Sequence, residues 1–327
     1  MITEQQNLWD CRSDTCPFAD LIEDNDNSCF SQGQNKYGYD TISEDFSDFA
    51  KWLADIKNVG FDDIRAKPTE LFVLPPFIPV IRRGSYKIMN NVALPFVAVS
   101  IGSIVNQKNL DVLEGDVRSK FGISPNSKII LLCFGKDELI EKIWTQKADI
   151  FPKISRLDFD IVTGINYSIW YDQPHAERLI NLKRSLITFS EFQELGVSTI
   201  PHMYWSGRKD ILRWCKWISD NKDINIVAID PQTERNNKVW NKTIEDLNFF
   251  VANLDRKIHF LITGPSTFKR INELKSVLPN FTLANSYCSL KSACGFEIFK
   301  DKTVHSTNPK NETMLKNINY YKKTLIK

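Results

Sequence analysis

No stretch of this 327-residue chain approaches the roughly 18 consecutive apolar residues that cross a bilayer, so membrane insertion is not expected. Residues 1–20 are polar and acidic where a secretory leader would be basic and then apolar, and the expected compartment is the cytoplasm. Charge of one sign is lacking: 42 Lys and Arg against 40 Asp and Glu exclude a wholly basic nucleic-acid binder and leave room only for a local patch. Histidine is scarce, with four in the chain and no two at metal-ligand spacing, which argues against a His-based catalytic metal. No glycine-rich turn of the G-x-G-x-x-G or P-loop type follows any strand-like run, and the usual nucleotide-fold signatures are absent with it. Seven cysteines, an odd number, do not suit a disulfide framework.

What the chain does have is a regular alternation of short apolar runs and amphipathic stretches from Phe96 to Phe299. Phe96–Ile101, Ile129–Phe134, Phe159–Thr163, Ser198–Met203, Ile224–Ile229, Ile258–Ile262, Phe281–Ala284 and Phe296–Phe299 read as strands, with helical periodicity between most of them. Such repeats imply right-handed βαβ crossovers and a parallel sheet. About eight strands predict a closed α/β barrel of the (β/α)8, TIM type; a doubly wound open sheet is the alternative. The expected organisation is a loop-rich N-terminal extension over residues 1–70 with one helix at Asp45–Leu53, the barrel over 71–300, and a polar tail over 301–327 ending in a solvated helix, Met314–Lys323. The proline-punctuated run Phe72–Ile81 reads as an extended lead-in with at most a short strand at its end, because three prolines cannot donate to a ladder.

Loops that follow the strands of a barrel gather on one face. Asp230 directly follows Ile226–Ile229 and is the candidate general acid or base; its bland alternative is capping of the next helix. His202, at a strand end beside two aromatics, is the candidate proton shuttle or else a packed core histidine. Asn166, Tyr167, Tyr204, Trp205, Gln232, Gly264, Ser266, Asn285 and Tyr287 complete the candidate substrate-binding set. Amides suit base edges, flat rings suit stacking, and the Gly264-Pro265-Ser266 turn could seat an anion at a helix start. Asp172 reads as a helix cap. Cys11, Cys16 and Cys29 cluster in an acidic, turn-rich stretch and are candidate zinc ligands, although no C-x-x-C pair or obvious fourth ligand accompanies them; Cys288, Cys294 and His305 form a second, weaker set. Partners expected at the mouth are a nucleotide, a nucleic acid or a protein.

The run Lys257-Ile-His-Phe-Leu-Ile-Thr-Gly264-Pro-Ser, followed by a helix and then Phe281-Thr-Leu-Ala-Asn285-Ser286-Tyr287, resembles the barrel of the tRNA-guanine transglycosylase superfamily. That family has a strand ending in glycine, a helix, and a strand carrying an aspartate nucleophile; Thr163-Gly164-Ile165-Asn166 falls near its second catalytic aspartate. The resemblance implies a barrel with a base-sized pocket, base modification or N-glycosidic chemistry, and a zinc signature that this chain does not carry in usable form. Both aspartate positions read asparagine here, Asn166 and Asn285, and an amide is no carboxylate nucleophile. The alternative implied is a catalytically inactive barrel serving as a binding or assembly module in a mobile-element or phage-related system. From Leu74-Pro-Pro-Phe-Ile-Pro79 through Gly196-Val-Ser-Thr-Ile-Pro201 the chain is also similar to an uncharacterised family of bacterial proteins, which brings no function with it.

Overall fold

A computed structural model describes residues 53–68, 70, 72–169, 175–232, 236–299 and 302–326. The expected helix at Asp45–Leu53 falls almost wholly outside the described residues; Cys11, Cys16, Cys29 and Asp172 lie outside them.

Eight parallel strands form the centre of the molecule: β1 Phe77–Ile81, β2 Phe96–Ser100, β3 Lys128–Leu132, β4 Ile161–Thr163, β5 Thr199–Ile200, β6 Ile226–Ile229, β7 His259–Thr263 and β8 Phe281–Asn285. Their spatial order is β5-β4-β3-β2-β1-β8-β7-β6, and the ends of that row meet. Just past β5, His202 bridges Ala228 of β6 in parallel, Met203 N–H donates to the Ala228 carbonyl (2.8 Å) and Ala228 N–H donates to the Pro201 carbonyl (2.9 Å). The sheet is therefore a near-closed α/β barrel of the (β/α)8 type and not the open doubly wound alternative, which would leave both outer strands unpaired.

Pro79 does not keep the lead-in out of the ring. Phe77, Ile78 and Pro79 pair with β8, while Val80 and Ile81 pair with β2, so β1 passes from one neighbour to the other at the residue that has no N–H to give. The run Phe296–Phe299, which the alternation reads as a further barrel strand, instead forms β9 of an antiparallel hairpin with β10, Lys302–His305.

Helices cover the barrel: α1 Tyr86–Met89, α2 Val117–Phe121, α3 Asp137–Ser155, α4 His175–Glu194, α5 Arg208–Asp220, α6 Asn237–Asn253, α7 Phe268–Val277, α8 Tyr287–Ala293 and α9 Lys310–Ile326. Gly196, at φ +79°, ends the α4 segment as its sequence position suggests. Strand alternation divides the core in two. Ile78, Ala98, Ile130, Leu261 and Ala284 point into the barrel, and a larger cluster including Val99, Leu131, Val162, Phe260 and Leu283 packs outward under the helices. The tail helix α9 is not solvated: Met314, Ile318 and Tyr321, at helical spacing, are fully buried, and the Tyr321 ring stacks on Phe77 of β1 at 4.6 Å.

One helix buries charge. Lys183 and Arg184 of α4 have no exposed surface. Lys183 reaches the Gly60 carbonyl and the Asp63 carboxylate, tying residues 60–63 to the barrel. Arg184 grips Glu141 through both carboxylate oxygens (3.2 and 2.7 Å) and lies over the rings of Tyr167 (3.8 Å) and Trp144 (4.7 Å). A planar guanidinium held in this way satisfies its charge and fills volume at once.

Candidate functional site

The C-terminal ends of four consecutive strands carry polar side chains into the barrel. Ile161, Ile200, Ala228 and Leu261 belong to the interior cluster, and the residues two positions further on are Thr163, His202, Asp230 and Thr263. Alternation aims all four at the barrel axis. All four are buried, Asp230 at 7% and His202 at 2% exposure.

Their hydrogen bonding is incomplete. Neither ring nitrogen of His202 has a partner among the described residues. Burial pulls its pKa down to about 3, so the imidazole is neutral across the physiological range. Asp230 accepts the Gln232 backbone N–H at Oδ1 (3.1 Å). Burial pushes its pKa up to about 6, against the opposing pull of the Thr263 hydroxyl and the Gln232 N–H. Thr263 lies beside this carboxylate without a well-formed hydrogen bond to it. Thr163 is spent structurally, its hydroxyl accepting the Cys133 N–H (2.8 Å). Just past β4, Asn166 donates its backbone N–H to the Cys133 carbonyl (2.9 Å), while its side-chain oxygen is buried and unpartnered among the described residues. Buried polar atoms rarely lack partners in folded proteins, and three such groups, Asn166 Oδ1, the His202 ring and the Thr263 hydroxyl, lie at the ends of β4, β5 and β7. Neither a hydrogen bond nor an ion pair links His202 to Asp230, and desolvation alone accounts for the imidazole shift. His202 stands opposite Ala228, two residues before Asp230, and the two side chains do not form a coupled dyad.

Gly264 sets the geometry beside Asp230. At φ +99° its backbone sits so close to Gln232 that an added Cβ would lie 2.5 Å from the Gln232 Cβ and 2.7 Å from its Cα. The β6 and β7 loops are thus locked together by a position that only glycine fills.

Other residues singled out in the sequence are placed elsewhere. Asn285 continues the outward parity of Leu283; its amide donates to the Pro265 carbonyl (3.0 Å) and accepts the Tyr287 N–H (3.1 Å), knitting loops together. Trp205 donates to Asp246 of α6 (3.2 Å) and meets Phe250 edge-on, so it belongs to the helical layer with Tyr204 packed beside it. Tyr167 is enclosed by Arg184 and Trp144. Gln232 is exposed, the Ser266 carbonyl accepts the Tyr321 hydroxyl (2.9 Å), and Tyr287 is half-buried with the Lys291 ammonium 5.2 Å from its ring. The inner face of the barrel thus carries His202, Asp230 and Thr263, the last readable from the strand pattern Phe260–Thr263, while Asn166 follows β4 beside the end of β3. Among the described residues no group of three His, Cys, Asp or Glu is disposed to hold a metal. Cys288 is buried in α8, Cys294 is exposed, and His305 lies edge-on to Phe296, so these three do not form the zinc site their spacing suggests.

The layer holds one ionisable carboxylate, one neutral imidazole, a hydroxyl and an amide oxygen. At pH 7 a carboxylate of pKa about 6 is ionised by roughly ten to one, and it exchanges a proton readily at that pH. Among the described residues the layer contains acceptors and no cation, a character that suits ligands presenting N–H groups.

Residues 117–262, from α2 through most of β7, match a family described as a domain of unknown function, DUF4417. That stretch includes Asn166, His202 and Asp230; Thr263 lies one residue beyond it. No curated protein matches the chain.

Proposed function

We propose that the barrel mouth binds a nucleobase or nucleoside, with Asp230 accepting ring or exocyclic N–H groups and the neutral His202 and Thr263 completing the polar contacts. The observation that carries this reading is the set of buried polar groups at the ends of β4–β7, of which the His202 ring, the Thr263 hydroxyl and the Asn166 side-chain oxygen lack partners among the described residues. Among the described residues its carboxylate and its acceptor-rich character suit the donor edge of a heterocycle. The resemblance to transglycosylase barrels supports the same ligand class, and proton exchange at Asp230 is the chemistry the site would bring to it.

Binding without base exchange is the second reading. It is favoured by Asn285, whose amide is committed to Pro265 and Tyr287, and by Asn166, which offers no carboxylate. A ligand panel of free bases and nucleosides, screened by thermal shift and then by calorimetry, tests the proposal. At least one heterocycle should raise the melting temperature, since a ligand at a hundred times its Kd adds about 3 kcal/mol of stability. Asp230→Asn should abolish that shift. Equal responses of wild type and Asp230→Asn, or no response to any heterocycle, would refute it.

A further inference from the structure

The wall of the barrel across from the polar layer carries a cation. β1 stands opposite β5 in the ring. Its residues Ile78 and Val80 belong to the interior cluster, and Arg82, two positions beyond Val80, continues their parity at the mouth. The ladders give its height. Ile229 pairs with Ile262, so Asp230 stands opposite Thr263; Thr263 pairs with Ala284, and Ala284 with Ile78. The strands are tilted, and followed from β6 through β7 and β8 to β1 the paired residues fall below true height by about one residue per strand. The residue of β1 at the height of Asp230 is therefore Ile81, and Arg82 lies one step nearer the mouth. On β8, between them, the residue at that height is Ser286, which continues the inward parity of Ala284 and whose hydroxyl does not cap α8.

Arg82 is exposed, and its guanidinium meets neither a carboxylate nor a ring among the described residues. Only its backbone is engaged: its N–H donates to the Ser85 hydroxyl (3.1 Å) and its carbonyl accepts the Ser85 N–H (3.1 Å). These bonds hold the turn Arg82–Ser85, in which Gly84 takes φ +83°, and so fix the root of the side chain at the end of β1.

We infer that the ligand of the mouth is a nucleoside monophosphate, with its base against Asp230 and its phosphate on Arg82. This rests on the reading of the mouth as a base site. A nucleotide is a ring with N–H donors and an anion one sugar away. The barrel offers acceptors on one wall and a cation slightly higher on another, three strand spacings or about 14 Å round the sheet. Ser286 lies between them, where a ribose would pass. The planar fork of a guanidinium matches phosphate oxygens in pairs, whereas the carboxylate of Asp230 repels them, so the two walls also set which end of the ligand enters first.

Calorimetry of the full chain with adenosine, guanosine, cytidine and uridine, and with their 5′-monophosphates, separates the two claims. The monophosphate of a base that binds should bind roughly 10- to 100-fold tighter than its nucleoside, the worth of a charge-assisted contact, and inorganic phosphate should not displace it. Arg82→Gln should bring nucleoside and monophosphate to near-equal affinity. Arg83→Gln, at the exposed neighbour of opposite parity, should keep the gain, which excludes a general effect of charge. A nucleoside that binds through Asp230 with no gain from its phosphate, a gain that survives Arg82→Gln, equal losses in the two arginine variants, or displacement by inorganic phosphate alone would each overturn the assignment and leave the base site standing. Failure of every nucleoside and monophosphate to bind the wild-type chain would remove the base site and this inference together.

Discussion

Replacing Asp230 by asparagine should make the protein more stable at neutral pH. Burial raises the pKa of Asp230 from 3.8 in the unfolded chain to about 6 in the folded one. The folded state therefore resists ionisation. Below pH 4 the carboxyl is protonated in both states and costs nothing. As pH rises through the interval from 3.8 to 6, only the folded state must hold an ionised group against burial, and stability falls. Above pH 6 the penalty is constant at about 3 kcal/mol, since each pH unit between the two pKa values is worth about 1.4 kcal/mol. Asparagine removes the ionisation, and its Oδ1 can still accept the Gln232 N–H. Its new NH2 group lacks a partner and costs about 1 kcal/mol or more. The net gain at pH 7 is thus about 2 kcal/mol or less, but the offset is the same at all pH values. Urea unfolding of both proteins at pH 7 and pH 4 isolates the electrostatic part: the advantage of Asp230→Asn should shrink by about 2 kcal/mol between the two. A difference that does not change with pH would mean that Asp230 is solvated or paired in the folded protein, and the candidate site would lose its central group.

Other expectations concern its surroundings. The His202 ring should give flat NMR chemical shifts from pH 5 to 8, as a buried neutral imidazole does; a midpoint near its ordinary 6.5 would place the ring in solvent. Gly264→Ala should cost on the order of 2 kcal/mol and also weaken ligand binding, because its Cβ displaces Gln232 and with it the loop that holds Asp230; unchanged stability and binding would show that the loop is free to give way. Arg184→Leu should lower stability by on the order of 1–3 kcal/mol, since it removes the hydrogen bonds to Glu141 and Asn181 and repacks the space between Trp144 and Tyr167; a change within about half a kcal/mol in urea unfolding would contradict its structural role.

Much of the fold was legible because burial of parallel strands leaves a local mark. Ile226–Ile229 and Phe260–Ile262 are unbroken apolar runs, and the α7 helix Phe268–Val277 falls in one of the stretches of helical periodicity between strands. Proline and register hid the rest. Phe77–Ile81 looks unfit for a central strand until its change of partner at Pro79 is seen, and Phe296–Phe299 looks like a barrel strand until its partner is known to be Lys302–His305. Helix α3 runs from Asp137 to Ser155 with one break in helical geometry at Gln146, which no residue pattern announces. The inward placement of Asp230 and His202 was readable from their position after apolar strands. The outward placement of Asn285 was not, for a reason local sequence does not encode: whether the residue ending a strand faces inward or outward depends on the parity of the whole strand. The same parity singles out Thr263, which no motif announces.

The central claim is that the polar layer at the ends of β4–β7 holds a heterocycle through Asp230. Native mass spectrometry of the full chain, purified untagged at low salt, tests it most directly. Wild-type protein should carry an adduct with the mass of a base, nucleoside or nucleotide, and Asp230→Asn should lack it. The same adduct on both proteins, or a bare wild-type protein, would contradict the assignment of the mouth as a base-binding site.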